Sequence, residues 1–214
     1  MVVAVIGGTG KEGFGLAVRW ARAGQRVIIG SRSPEKAREA AERAGGLGVE
    51  EQVAGLLNRD AAAVAEIVVL TIPYAGQAAI LGDIRAAVRG KIVVDTTVPL
   101  WRYSPPELDI PPAGSSAQQV QMLLPDSRVI AALHSVSAVK LNRFDEPLKE
   151  DVLVCGDDAA AKAAVNGLIE ALGMRPLDAG GLAEAVTVER LAALIIGMNQ
   201  RYRRKAIGVR FTGI

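Results

Sequence analysis

Gly8-Thr9-Gly10-Lys11-Glu12-Gly13 is the first segment of the chain whose residue types and spacing suit chemistry. Its glycines fall on the pattern GxGxxG, directly after the apolar run Val2–Ile6 and at the opening of a helical periodicity. In that setting each glycine has a mechanical task. Gly8 permits the tight turn, Gly10 lets the backbone approach a pyrophosphate, and Gly13 allows a helix to pack closely on a strand. The helix N-terminus adds unpaired N–H groups and a partial positive charge. The loop, Lys11 and Glu12 included, is therefore expected to hold a dinucleotide. A purely structural glycine turn is the alternative, and the complete β-α-β pattern around the loop argues against it.

The second strand of that unit, Arg26–Gly30, runs into Ser31-Arg32-Ser33. An NAD site places a carboxylate at this point to bond the ribose 2′-hydroxyl; here there is none. Arg32 offers a planar guanidinium matched to phosphate oxygens, while Ser31 and Thr9 offer hydroxyls. Lys36 sits in the first turn of the next helix, where a cation opposes the helix dipole unless an anion lies beside it. The bland reading is a lysine balanced by Glu35 and Glu39; together with Arg32 and Ser31 it points to the 2′-phosphate of NADP.

In an open α/β sheet, ligands bind beyond the carboxyl ends of the strands. Three such ends are distinctive: Thr71-Ile72-Pro73-Tyr74, Thr97-Val98-Pro99 and Leu133-His134-Ser135-Val136-Ser137. A proline after a buried strand fixes a sharp exit and leaves carbonyls free for a nicotinamide carboxamide. Ile72, Pro73, Tyr74, Ala78, Val98 and Pro99 are thus expected at the cofactor, and His134, Ser135 and Ser137 at a second substrate. His134, the only histidine, reads equally as a structural hydrogen-bonder and as a pocket contact. One histidine and one cysteine leave no zinc site, and no G-x-S-x-G is present, so no metal and no catalytic side chain are assigned.

The elements that must position these residues alternate. Strand-like runs at Val2–Ile6, Arg26–Gly30, Glu66–Ile72, Lys91–Thr96 and Arg128–Leu133 are separated by helical patterns at Gly13–Ala23, Pro34–Ala44, Gln77–Val88 and a helix ending near Leu124. This predicts an α/β fold, a Rossmann-type doubly wound parallel sheet over residues 1–145. Residues 146–214 carry strands near Asp151–Cys155 and Met174–Asp178, a helix ending at Gly173 and a long helix from about Leu182 to Arg204, read as a small C-terminal α/β domain closing the cleft. The core of the long helix, Leu191–Met198, is apolar around its circumference and predicts burial on every side through a homodimer. A loop is expected over Pro99–Gly114.

Composition narrows the classes further. Hydrophobic residues make up 50% of the 214, which supplies a core and excludes disorder. Net charge is +2, with both signs spread along the chain, so neither nucleic acid nor a membrane surface is an expected partner. The basic cluster Arg201, Arg203, Arg204 and Lys205 reads as the polar last turn of a helix. The lone Cys155 fits a reducing compartment, and with no signal-like start and no long apolar stretch a cytoplasmic protein is expected.

With these residues in place, the chain resembles the NADPH-dependent coenzyme F420 reductases (F420:NADP oxidoreductases) over nearly its whole length. The likeness rests on Val5-Ile-Gly-Gly-Thr-Gly10 with Gly13, Gly30-Ser-Arg32 with Lys36, and Val69-Leu-Thr-Ile-Pro73. It continues through Val98-Pro99, Ala132-Leu-His134, Val154-Cys-Gly-Asp-Asp158, Arg175-Pro-Leu-Asp-Ala-Gly180 and Ile207-Gly-Val-Arg-Phe211. The resemblance implies a homodimer that transfers hydride between nicotinamide C4 and C5 of the 5-deazaflavin, with NADP(H) and coenzyme F420 as its small-molecule partners. It implies that Thr9, Ser31, Arg32 and Lys36 contact the 2′-phosphate. Ile72, Pro73, Val98, Pro99 and His134 would line the pocket where the rings stack, and Ile207 would lie on a returning C-terminal strand. Tyr74-Ala-Gly-Gln77, Leu100–Gly114 and Ser135-Val-Ser137 depart from the family pattern. Two alternatives stand beside this: an NADPH-dependent reductase of a flavin, ferric chelate, small carbonyl or imine on the same frame, and a non-enzymatic NADP(H) sensor.

Overall fold

The computed structural model describes residues 1–214. Val2–Ile6 (β1) is buried on both faces, with Val3 and Val5 in one apolar core and Ala4 and Ile6 in the other. This is the two-residue alternation of a central parallel strand. Lys11–Arg22 (α1), Arg26–Ser31 (β2) and Pro34–Ala44 (α2) complete the first unit. Ser33 caps α2 by accepting from the Lys36 amide at 3.2 Å, with Pro34 at the first helical position.

Val53–Leu57 (β3) pairs in parallel with β2, and Asn58–Val64 (α3) returns the chain to the centre of the sheet. Ile67–Leu70 (β4), Gln77–Ile84 (α4), Ile92–Asp95 (β5), Ser116–Leu123 (α5) and Arg128–Ala131 (β8) follow. Between β5 and α5 lies a hairpin of Leu100–Tyr103 (β6) and Pro106–Leu108 (β7), where a loop was expected. The helix expected to reach Val88 stops at Ile84.

Ala138–Leu141 (α6), Asp151–Gly156 (β9), Ala159–Glu170 (α7), Arg175–Asp178 (β10) and Ala185–Arg201 (α8) close the chain. The strand order is β10-β9-β8-β5-β4-β1-β2-β3, so the strands after residue 146 extend the first sheet and form none of their own. Every pairing in it is parallel except β8 with β9, which are antiparallel over Ile130↔Gly156 and Ala131↔Cys155. From β1 the chain moves outward to β3 and then restarts on the other side at β4. Beyond the carboxyl ends of β1 and β4 that reversal opens a crevice.

Two side chains bolt the ends of the molecule together. The Trp20 indole donates to the Leu168 carbonyl at 2.9 Å, joining α1 to α7. The Arg19 guanidinium donates to the carbonyls of Leu141 and Lys140 at the C-terminal end of α6 and of Arg143 and Glu146 just beyond it, at 2.6 to 3.1 Å. The residues after α8 pair as no strand, so Ile207 lies on an irregular segment, not on a returning strand. That segment is held by the Asp151 amide on the Val209 carbonyl at 2.9 Å and by Arg175 on the Phe211 carbonyl at 2.7 Å. No helix is long and apolar enough to cross a membrane.

Candidate functional site

Gly10 caps α1 in an extended conformation, and no side chain bonds the helix's first amides. A Cβ on Gly10 would meet only the Gly7 carbonyl oxygen, at 3.4 Å, so packing within the protein does not require glycine there, and the helix N-terminus beside it is open to an anion. Gly13 is different, since its Cβ would fall 2.4 Å from Thr71 Oγ1 and 2.7 Å from Gly8 Cα. The left-handed turn residue is Gly7, φ +79°, and not Gly8, whose absent side chain instead leaves room for the Val5 carbonyl at 2.8 Å. The tight-turn role expected at Gly8 therefore moves one residue back. These residues fit a bound pyrophosphate.

Past β2, Ser31 is buried and its hydroxyl accepts from the Ser33 amide at 3.2 Å. Arg32 and Lys36 are exposed, and neither enters an ion pair. Glu35, the acidic neighbour of Lys36 in the same turn, instead accepts from the Ser33 hydroxyl at 2.7 Å and lies 3.9 Å from Arg38. Two uncompensated cations thus stand beside the end of β2. Thr9 is half-buried at the same edge.

A cavity of about 450 Å³ opens over the carboxyl ends of β1, β4, β5 and β8, within the usual size of a small-molecule site. Gly10, Lys11, Glu12, Ile72, Pro73, Val98, His134, Ser135, Ser137 and Ile207 of the expected set line it. Gly8, Thr9, Gly13, Ser31, Arg32, Lys36, Tyr74, Ala78 and Pro99 do not. Pro99 is buried and Ala78 is exposed on α4, while the Tyr74 hydroxyl donates to Gln119 Oε1 at 3.2 Å. The Ser137 hydroxyl caps α6 and donates to the Lys205 carbonyl at 2.8 Å, so its visible task is to tie the chain after α8 to the pocket wall. Ala192, Ile195 and Ile196 of α8 and Leu100 and Tyr103 of the hairpin add apolar and aromatic side chains to the wall.

Beneath the pocket lies a polar cluster that the sequence did not announce. Asp95, the last residue of β5, is fully buried and accepts from the Ser116 hydroxyl at 2.9 Å, the Thr97 amide at 3.3 Å and Gln77 at 3.4 Å. Glu189, 1% exposed on α8, accepts the Ser116 and Ala117 amides at 3.1 and 3.2 Å. His134 is 9% exposed and neither ring nitrogen has a partner. Leu133, just before it, is held at φ +70°, a left-handed conformation costing roughly 1–2 kcal/mol for a non-glycine residue. Ligand atoms of Asp95, His134 and Glu189 all lie within 4.8 Å of one another.

Burial sets the charge states. It pushes Asp95 up to about 6, against the hydrogen bonds from Ser116, the Thr97 amide and Gln77. It raises Glu189 to about 7, with Asp95 adding repulsion and the Ser116 and Ala117 amides opposing. Glu12 rises to about 7 for the same leading reason. His134 falls to about 4 by burial and is neutral at neutral pH. Asp95 and Glu189 lie 94 residues apart, and only the fold unites them. A carboxylate closing the apolar run Ile92–Val94, and another on the buried stripe of α8 with Val188, Ala192 and Ile195, were the available signals.

Residues 2–99 match the family model described as "NADP oxidoreductase coenzyme F420-dependent". The F420-dependent NADP reductase of Methanocaldococcus jannaschii is 39% identical over 222 residues, covering 100% of this chain and 99% of that protein. The reductase of the same name from Methanothermobacter thermautotrophicus is 39% identical over 227 residues, covering 100% and 96%. Among solved structures, a provisionally assigned F420-dependent NADP reductase from Arthrobacter sp. FB24 superposes with a TM-score of 0.85 at 29% identity, covering 99% of each chain.

Proposed function

The chain belongs to the family of coenzyme F420-dependent NADP oxidoreductases, and from that premise we infer that it transfers a hydride between NADP(H) and the 5-deazaflavin of coenzyme F420. The observation that carries this reading is an adjacency: Gly10–Glu12 of the phosphate turn line the same cavity as Ile72, Pro73, Val98 and His134. A dinucleotide seated on α1 therefore delivers its nicotinamide into a pocket with apolar walls and room for a second ring.

The two coenzymes supply the redox chemistry. The chain's residues bind, align and keep out water. In this reading the α1 N-terminus holds the pyrophosphate, Arg32, Lys36, Ser31 and Thr9 select the 2′-phosphate, and Ile72, Pro73, Val98 and Pro99 set the nicotinamide. Tyr74 and Ala78 support that strand exit from outside, while His134, Ser135, Ser137 and Ile207 face the deazaflavin. Residues 146–214 act as the unit that closes the cleft through α8.

A homodimer built on α8 belongs to the same reading. Leu194 on α8 is 59% exposed in the single chain, and Trp101 on the adjoining hairpin is 73% exposed. Isolated, the helix does not meet the burial its composition demands. The buried, unpaired Cys155 fits a reducing cytoplasm.

The test is NADPH oxidation by the purified protein with the deazaflavin, FMN and ferric chelates offered separately. Turnover with the deazaflavin is expected. Turnover with FMN or ferric chelate alone overturns the choice of acceptor, and tight NADPH binding without any turnover favours a sensor.

A further inference from the structure

We propose that His134 relays a proton between the ring of the second substrate in the pocket and the buried Asp95–Glu189 carboxyl pair beneath it. The relay rests on the hydride-transfer reading and supplies what that reaction lacks, a source for the proton that must accompany the hydride.

Geometry carries it. His134 lines the cavity, yet it is buried with both ring nitrogens unpaired, which a purely structural histidine is not. Its ligand atoms and those of Asp95 and Glu189 lie within 4.8 Å of one another, a gap that one water with three polar partners closes. The carboxyl pair is itself anchored by Ser116 and the first amides of α5, so its position is fixed. A metal centre suits these groups less well. All four carboxylate oxygens already accept hydrogen bonds, and a ligating imidazole needs an acceptor for its second nitrogen, which His134 does not have.

The step balances as follows. The C4–H bond of the reduced nicotinamide breaks, and its hydrogen and electron pair form a C–H bond on the acceptor ring. The acceptor's displaced π pair settles on a ring nitrogen, which takes one proton. That proton comes from the N–H of the neutral imidazole, whose other nitrogen takes one from the carboxyl pair through the bridging water. Solvent then restores the pair, and the opposite direction runs the same path backwards. The charged and titratable groups facing the imidazole or sharing its pocket are Asp95 from β5, Glu189 from α8, Glu12 and Lys11 from α1, Tyr103 from the hairpin and Lys205 after α8. Burial holds the pair's carboxyls near the neutral range and the imidazole well below it, so a proton resides on the acid side of the relay at neutral pH.

Because the chain has one histidine, the imidazole NMR signals of the intact protein belong to His134. Its shifts are expected to inflect between pH about 6 and about 7 as the pair ionises, with imidazole protonation delayed to about 4. Asp95→Asn and Glu189→Gln should each move or abolish that inflection and remove the matching limb from the pH profile of kcat. His134→Gln should lower kcat by about 10²–10⁴-fold, the range of a lost acid–base group, while NADPH still binds. A flat imidazole shift from about pH 5 to about pH 8 overturns the relay whatever the acceptor is. So does a His134→Gln enzyme with the parent rate. Stoichiometric zinc uptake that is lost in Asp95→Asn overturns it in favour of a metal centre. If only FMN is reduced, the deazaflavin reading falls, and the inflection together with the His134→Gln loss measured on FMN still supports the relay; if only a ferric chelate is reduced, which has no ring to take the proton, both readings fall.

Discussion

Ser116 donates its backbone N–H to Glu189 Oε2 at 3.1 Å, so the first turn of α5 is capped by a carboxylate from a helix 73 residues further along the chain. The other carboxylate oxygen takes the Ala117 amide. The contact fixes α8 against α5, and α8 carries Ala192 and Ile195 into the pocket wall. The first two amides of α5, which the Ser115 cap on the Gln118 amide does not reach, are thereby made into the fastening of the cleft.

That fastening is pH-sensitive. The Glu189 carboxyl is raised by burial from 4.5 to about 7, so the folded chain binds a proton that the unfolded chain has released across that interval. The stability it contributes is fully present below about 4.5 and is lost as pH rises through about 7. Thermal unfolding of the parent and of Glu189→Gln at pH 6 and pH 8 should show the parent losing about 1 kcal/mol relative to the variant. Parallel pH dependence of the two proteins would contradict the protonated, buried state of this group.

The last two glycines of the α1 turn should separate folding from binding. Gly10→Ala makes only a van der Waals contact with the Gly7 carbonyl oxygen on a compatible backbone, so its stability should change by no more than about 1 kcal/mol while the KM for NADPH rises. Gly13→Ala drives a Cβ into Thr71 Oγ1 and Gly8 and should cost roughly 1–3 kcal/mol of stability. Equal destabilisation of both variants, measured by denaturant unfolding, would mean that Gly10 serves packing and not an anion.

Much of this turn was legible because its signals are local: an apolar run, spaced glycines and a helical period within the first 22 residues. Other parts were hidden for identifiable reasons. The strand Val53–Leu57 carries Gly55, which reads as a loop, yet a Cβ there would sit 2.1 Å from the Ala37 carbonyl oxygen. The glycine is the condition for α2 lying on that strand. The hairpin Leu100–Leu108 was obscured by Pro99, Pro105 and Pro106, tolerated because it is a two-stranded piece with free edges. The Asp95–His134–Glu189 cluster joins three distant elements, and no spacing rule reports a meeting made by sheet order.

Arg32 should govern the choice between NADPH and NADH. It is exposed, without an acidic partner, at the end of β2. Arg32→Ala should raise the KM for NADPH by about 10–150-fold, the equivalent of the ~1.5–3 kcal/mol of a charged hydrogen bond, and leave that for NADH nearly unchanged. Steady-state kinetics with both cofactors decides it, since an equal loss with each would remove the 2′-phosphate from this position.

Leu194 tests the assembly. It projects from α8 at 59% exposure, and α8 also packs against the hairpin through Gln200, whose side chain donates to the Tyr103 carbonyl at 2.6 Å. Hairpin residues Trp101 and Tyr103, 73% and 67% exposed, add apolar surface beside it. A second copy covering these elements would bury the apolar circumference of α8 and stiffen the wall of the pocket at once. Leu194→Glu would place a charge in that interface, desolvating it without a partner. Light scattering should therefore show a dimer for the parent and a monomer for Leu194→Glu, with deazaflavin turnover falling alongside. Val64→Glu, an equally exposed apolar position on α3 far along the sheet, should change neither. A parent protein that is monomeric at micromolar concentration, or a Leu194→Glu variant of unchanged mass, would remove α8 from the assembly and leave its exposed leucine without a structural purpose.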